Sequence, residues 1–432
     1  SLLKLRKEFY RVANEQAKKS PVKAYVFGDP NDFTRTRAFL DLLLLHEIDV
    51  YETSGTVTAD GKKFETGKAY MVPVDQPNYI MVRSVFEKAI TYIDSTFYDA
   101  STWSLIHAYG LPYGEVKVAL TPGKKLTTAP VAAPGNVVKS GYAYVLEATD
   151  YNVHKAIYQL QSAGVFVQSA TRPFTATIDG KPKFFGYGSL SIPVGLQRIS
   201  ADSIYRVVDN VSKACGITIH SLSTGFSAGG IDLGSNYMRT LKKPEAAMII
   251  GAGVAPPEAG EIWHLLDQRL QMPVTKLDIL TLPRVNLSRY NTLIMVSGNY
   301  ALLDKALTDK IKDWVQEGGT LITIKTGSEW AIRNGMTKEK LLVDSSKPAP
   351  LRFNFDEASD REGAKAMGGS IFTVDLDTTH PIGYGFTSRK VSVYRNGATY
   401  LVPSVSPYTT VAQYTANPLV GGYVHPESMK KV

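Results

Sequence analysis

Seven histidines and one cysteine are the residues with which this chain could do metal or nucleophilic chemistry. A zinc site of the His-x-x-Glu type needs two ligands leaving one short segment together and a third arriving from far along the chain. Three residues past the histidines stand Asp49, Gly110, Ile157, Ser223, Asp267, Gly383 and Ser428, and none is glutamate. His46 with Asp49, and His264 with Asp267, have one-turn spacing, which reads as a helix-face pair near a helix end. Cys215 stands alone, so neither an intramolecular disulfide nor a multi-thiolate zinc cluster is expected, and no metal or cofactor is assigned to this chain.

Three glycine-containing turns deserve weighing as sites. Gly225-Phe226-Ser227-Ala228-Gly229 matches the Gly-x-Ser-x-Gly elbow, which requires a strand before the serine and a helix after it. A strand plausibly precedes at Ile217–His220, but Gly229-Gly230-Ile231-Asp232 is a poor helix start, so a loop is expected. Gly251-Ala252-Gly253 lies between a strand and a helix like a dinucleotide loop, but Pro256 stands where a third glycine belongs, and a tight βα turn suffices. The third turn is Lys325-Thr326-Gly327, entered from Gly318-Gly319 and an apolar strand and left by a helix. In an open α/β sheet any pocket lies beyond the carboxyl ends of the strands. That edge would gather Gly251, Gly253, Ser297, Gly298, Lys325, Thr326 and Ser328 as pocket candidates.

These turns must be positioned by the elements around them. Residues 1–20 predict a polar helix with Leu2, Leu5, Phe9 and Val12 at helical spacing, beginning as though it continued from earlier chain. Residues 21–119 predict an αβ unit: strand Lys23–Phe27, helix Thr34–Leu45, strand Ile48–Tyr51, a hairpin at Asp60-Gly61, strand Ala69–Val74 and helix Tyr79–Tyr92. Residues 141–240 repeat that order, with strands at Tyr142–Leu146, Val165–Val167 and Leu190–Val194, helices at Asn152–Ser162 and Ala201–Ala214, and a hairpin at Asp179-Gly180. Tyr144 follows Tyr25 by 119 residues, Asp179 follows Asp60 by 119, and Pro193 follows Pro73 by 120. A constant offset of this kind indicates a duplicated unit. Between the copies, residues 120–140 are rich in Pro, Gly, Thr and Ala and read as a linker.

From residue 241 strands and helices alternate: strand Ala246–Ile250, helix Glu258–Leu270, strands Val274–Ile279 and Thr292–Val296, helix Leu302–Gln316 and strand Thr320–Lys325. This spacing predicts a mainly parallel sheet covered on both faces. Residues 350–432 predict further strands at Phe372–Asp375, Val391–Tyr394 and Thr399–Val402, completing the same domain. The fold class expected is therefore α/β, with duplicated αβ units followed by a flavodoxin-like parallel-sheet domain.

A net charge of +8 is modest for 432 residues, and the densest basic pairs, Lys124-Lys125 and Lys430-Lys431, lack aromatic interleaving, which argues against nucleic acid as a partner. Ser1–Lys7 lead into a charged helix rather than a signal segment. No apolar run approaches the ~20 residues that span a bilayer, so no membrane span is expected. The 24 tyrosines suit half-buried domain seams.

The passage from Gly318 to Trp330 resembles the elbow of class I glutamine amidotransferases, in which a cysteine occupies the turn; here Lys325-Thr326 does. Five further stretches resemble the C-terminal, non-peptidase half of large bacterial zinc-carboxypeptidase-like proteins of the carboxypeptidase A superfamily. They are Lys23-Ala-Tyr-Val-Phe-Gly-Asp-Pro30, Phe97-Tyr-Asp-Ala-Ser-Thr-Trp103, Glu258-Ala-Gly-Glu-Ile-Trp-His-Leu-Leu-Asp-Gln268, Thr379-His-Pro-Ile-Gly-Tyr-Gly-Phe386 and Tyr414-Thr-Ala-Asn-Pro-Leu419. The resemblance implies that residues 241–432 form an amidotransferase-like domain. It also implies that zinc belongs to an upstream peptidase domain absent from this chain, and that the setting is bacterial and exported, periplasmic or extracellular. The expected partner is that peptidase domain, with a peptide or small ligand as a further candidate. Three functions follow: an accessory, non-catalytic region that supports or restricts the peptidase, a stand-alone amidotransferase-like hydrolase, or a small-ligand or glycan-binding module.

Overall fold

Ala-Tyr-Val-Phe in strand β1 (Ala24–Phe27) is buried on both sides, and that continuous apolar run explains the first unit. The computed structural model describes residues 1–92, 101–132, 135–342 and 352–432. Helix α1 (Leu2–Lys19) precedes β1; its Ala13 and Ala17 are buried, whereas Leu2, Leu5 and Phe9 stand exposed. After β1 come α2 (Phe33–Leu45), β2 (Tyr51–Thr53), the hairpin β3 (Val57–Ala59) and β4 (Lys62–Phe64), β5 (Tyr70–Pro73), α3 (Tyr79–Phe86), α4 (Leu105–Ala108), β6 (Tyr113–Val116) and β7 (Pro122–Lys125). Alternate side chains of a strand point to opposite faces. Tyr25 and Phe27 therefore join the helices, with Phe27 edge-on to Phe39 and Tyr25 stacked on Phe86, while Ala24 and Val26 meet Ala59 and Phe64 of the hairpin.

The sheet order is β6-β1-β5-β2-β7, with every described pairing antiparallel. β5 is thus inserted between β1 and β2, the split β-α-β-β-α-β arrangement of ferredoxin-like units, extended by one edge strand. The second unit repeats it with β8 (Ala143–Leu146), α5 (Val153–Ser162), β9 (Gln168–Ala170), the hairpin β10 (Phe174–Ile178) and β11 (Lys181–Phe185), β12 (Leu190–Pro193), α6 (Ala201–Cys215), β13 (His220–Leu222), β14 (Gly229–Gly230) and β15 (Met238–Thr240). Its order, β13-β8-β12-β9-β15, matches strand for strand. The register matches as well: Ala24 faces Pro73 in one copy and Ala143 faces Pro193 in the other. Both hairpins turn on Asp-Gly with positive φ at the two residues, 47° and 73° at Asp60-Gly61 and 48° and 76° at Asp179-Gly180.

Some expected boundaries move. The segment read as a linker contributes β7, which pairs with β2; its Pro122 can begin an edge strand because its missing N–H is not needed there. Residues 133–134 of that segment, and residues 97–100 of the Phe97–Trp103 stretch, lie outside the described residues. Helix Tyr79–Tyr92 stops at Phe86.

The two units meet at the loops following β1 and β8. Asp32 caps α2 by accepting from the Arg35 N–H at 2.9 Å, and it also accepts from the Tyr151 N–H of the other copy at 3.1 Å. In return Asp150 accepts from the Thr34 hydroxyl at 2.7 Å and from the Asn152 N–H at 2.9 Å. Burial raises the Asp32 carboxyl, against the lowering influence of Arg35.

The third domain has β16 (Ala246–Ile250), α7 (Pro256–Trp263), a π-helical turn at His264–Arg269, β17 (Val274–Asp278), β18 (Thr292–Met295), α8 (Lys305–Gln316), β19 (Thr320–Thr323) and α9 (Thr326–Arg333). Its sheet runs β17-β16-β18-β19, all parallel. In order of appearance that is 2-1-3-4, the doubly wound order, whose crevice opens between the first and third strands. Residues from Ser370 onward form a separate antiparallel sheet of β20 (Ser370–Leu376), β21 (Lys390–Arg395) and β22 (Ala412–Gly421), ordered β21-β20-β22, instead of extending the parallel one. The strand expected at Thr399–Val402 is reduced to one bridge, Leu341 with Leu401, and β22 takes its place in the sheet. This sheet seals against the first unit through Ser101 with Gly369 and His107 with Ser392, and against the second through Tyr384 stacked on Tyr187.

Candidate functional site

The crevice at the carboxyl ends of β16 and β18 is built by three tight turns. After β16, Gly253 has φ of 84°, and a Cβ there would lie 2.5 Å from the Asn299 carbonyl oxygen, so only glycine lets this loop approach the next. The Asn299 N–H donates to the Gly253 carbonyl at 2.7 Å, and Val254 bridges Gly298. After β19, Lys325 adopts φ 49° and ψ −117° and passes directly into α9. A side-chain-bearing residue in that region is strained and marks a sharp strand-to-helix elbow with its side chain held at the tip. Gly327, next in the helix, lies so close to β18 that a Cβ would sit 2.7 Å from the Met295 carbonyl oxygen.

At the tip, the Lys325 ammonium donates to Glu258 Oε1 at 2.6 Å, and the Ser297 N–H donates to Glu258 Oε2 at 2.9 Å. Burial would raise the Glu258 carboxyl, but the hydrogen bonds from Lys325 and Ser297 outweigh it and hold the group below the ordinary glutamate range. The Thr326 hydroxyl oxygen accepts from the Gly298 N–H at 2.9 Å, and Ser328 shares a 3.0 Å hydrogen bond with Thr323. Gly253, Ser297, Gly298, Lys325 and Thr326 therefore surround one point. Ser328 turns back onto its own strand end, and Gly251 instead abuts Asp278 of β17. Glu258, which organises the point, was not among the sequence candidates. Its signal was an acidic residue in the first turn of a helix that opens on Pro256-Pro257.

The other motifs settle into structural roles. Ser227 donates its hydroxyl to the Ile231 carbonyl at 2.7 Å in a loop between β13 and β14, with no helix after it. His46 caps the end of α2, and Asp49 pairs with Lys125 at 2.6 Å. Among the described residues no three His, Cys, Asp or Glu side chains come together as a metal site. Nor is any helix among them long and apolar enough to cross a membrane.

Fold and site together define an α/β protein in which two copies of a split αβ unit precede a parallel-sheet domain with a strained, lysine-tipped elbow at its crevice. No protein family, curated protein or solved structure matches the chain.

Proposed function

We propose that this chain is the accessory, non-catalytic region of a zinc-carboxypeptidase-like polypeptide, supporting or restricting an upstream peptidase domain. The observation that carries the reading is the ion pair at the elbow. The place from which a nucleophile would attack holds an ammonium group bonded to Glu258, and an ammonium nitrogen has no free electron pair to donate. The neighbouring hydroxyls of Thr326 and Ser328 are hydrogen-bonded to Gly298 and Thr323, with no histidine among those partners to serve as base. Contact with another body is supported by helix α1, where Leu2, Leu5 and Phe9 expose an apolar stripe that a peptidase domain would cover. The exported bacterial setting rests on the resemblance alone.

The test compares this chain, the isolated peptidase domain and their fusion on C-terminal peptide substrates and on glutamine. This chain alone should release neither amino acids nor ammonia, and release of either refutes its silence. The fusion should differ from the isolated peptidase in stability or selectivity, and equality in both refutes the accessory role.

A further inference from the structure

On the far side of α7 from Glu258 lies a groove of about 430 Å³, walled by Met248, Ile250, Val254, Ala259 and Trp263 and open beside Gly251. A volume of that size and apolar lining suit a small molecule, and the groove lies between α7 and the β16–β17 face of the sheet, apart from the crevice that Lys325 and Glu258 span. Register places Lys276 on β17 beside Met248, on the face that carries the groove, with its ammonium 5.2 Å from the Trp263 ring. Among the described residues this ammonium has that ring and no carboxylate within ion-pair distance. It is the cation of a lining whose other residues are apolar. The Asp278 carboxylate, two residues on, already accepts the Leu280 N–H at 2.9 Å.

Two features of α7 border the groove. Gly260 occupies the interior of the helix, where glycine is disfavoured, yet a Cβ there would meet nothing within 4 Å. Close packing does not demand the glycine, which borders the open space of the groove. Directly after Trp263 the helix widens into a π-helical turn, a distortion that recurs at functional sites.

The geometry points to a binding site for a small amphiphilic carboxylate, its hydrocarbon or aromatic body against Trp263 and Gly260 and its anionic head on Lys276. The cation and the apolar walls complement the two ends of such a molecule, which a neutral hydrocarbon or a polar sugar would not satisfy. The site stands independently of the accessory role, since it uses neither Lys325 nor α1.

The probe is 4-phenylbutyrate, titrated calorimetrically into the full chain, with 4-phenylbutyramide as its uncharged counterpart. The acid should bind saturably and at least roughly tenfold more tightly than the amide, the weight of one charge-assisted hydrogen bond. Lys276→Met should remove that preference and leave the amide unchanged. Gly260→Leu, which fills the groove while favouring the helix, should abolish binding of both with the circular dichroism spectrum retained. Equal binding of acid and amide by the wild type, no saturable binding, or undiminished binding in folded Gly260→Leu would overturn the proposal. So would a concentration-dependent dimer that Gly260→Leu dissolves, because the groove would then belong to a second copy.

Discussion

Acid should loosen the seam between the first unit and the C-terminal sheet through one residue, His107. Its Nδ1 lies 2.9 Å from the Ser392 hydroxyl on β21 and its Nε2 lies 3.0 Å from the Tyr113 hydroxyl on β6. Burial is the main cause that pushes the imidazole down to about 4, and the Lys88 and Lys62 ammoniums act in the same direction from 5.0 and 5.5 Å off the Tyr113 ring. An ordinary histidine titrates near 6.5. With the folded value depressed, the unfolded chain takes up its proton first as pH falls. Stability is therefore complete above about pH 6.5, declines down to about pH 4, and falls no further through this group below that. The gap converts to about 3 kcal/mol at most. The assay is urea denaturation of the wild type and His107→Gln between pH 7.5 and 4.5, since glutamine can hydrogen-bond but does not titrate. The advantage of the wild type over the variant should shrink by about 2–3 kcal/mol across that range. A difference that stays constant with pH would refute the reasoning, because it would mean the folded imidazole is no harder to protonate than the free one.

Lys325→Met should destabilise the third domain by about 1–2 kcal/mol, because Glu258 keeps the Ser297 N–H but loses its counter-charge in a half-buried place. A thermal-denaturation cycle with Glu258→Gln should return a favourable coupling, and zero coupling would show the pair to be idle. Asp32→Ala removes the cap of α2, the acceptor of the Tyr151 N–H and the partner of Arg35 together, for about 2–3 kcal/mol in urea denaturation; a loss under 1 kcal/mol would mean the junction is carried elsewhere. Burial pushes the Cys215 thiol up to about 11, so native protein should resist iodoacetamide at pH 8 and react only when unfolded. Rapid labelling of the native chain would contradict its burial.

Much of the fold could be read from local chemistry. The Asp-Gly hairpins and the offset of about 119 residues announced the duplication because type I′ turns demand residues that tolerate positive φ. The second strand of each copy was placed three residues early, at Ile48 and at Val165 instead of Tyr51 and Gln168. Ile48, Val50, Val165 and Val167 are indeed buried, but as the extended approach to the sheet; the ladder is made by the residues that follow. Apolar pattern reports burial, and burial is not the same as strand pairing. β22 escaped notice because Pro418 interrupts it, which an edge strand tolerates near the register shift found there. Glu258 escaped because its role exists only when three distant turns converge.

The elbow of this domain keeps its shape independently of the side chain at its tip. Its shape is held by backbone: Gly327 against the Met295 carbonyl, the Gly327 N–H on the Ile324 carbonyl, and the Ile324 N–H on the Met295 carbonyl. None of these contacts involves the side chain at the tip, so the residue there can change without dissolving the turn. Lysine at φ 49° is no relief of strain, since any non-glycine residue bears the same cost. What lysine adds is the bond to Glu258, which ties the turn after β19 to the helix after β16 across the crevice that a ligand or substrate would otherwise enter. The elbow is thus closed by the Lys325–Glu258 bond, and the groove between α7 and the β16–β17 face is left open beside it.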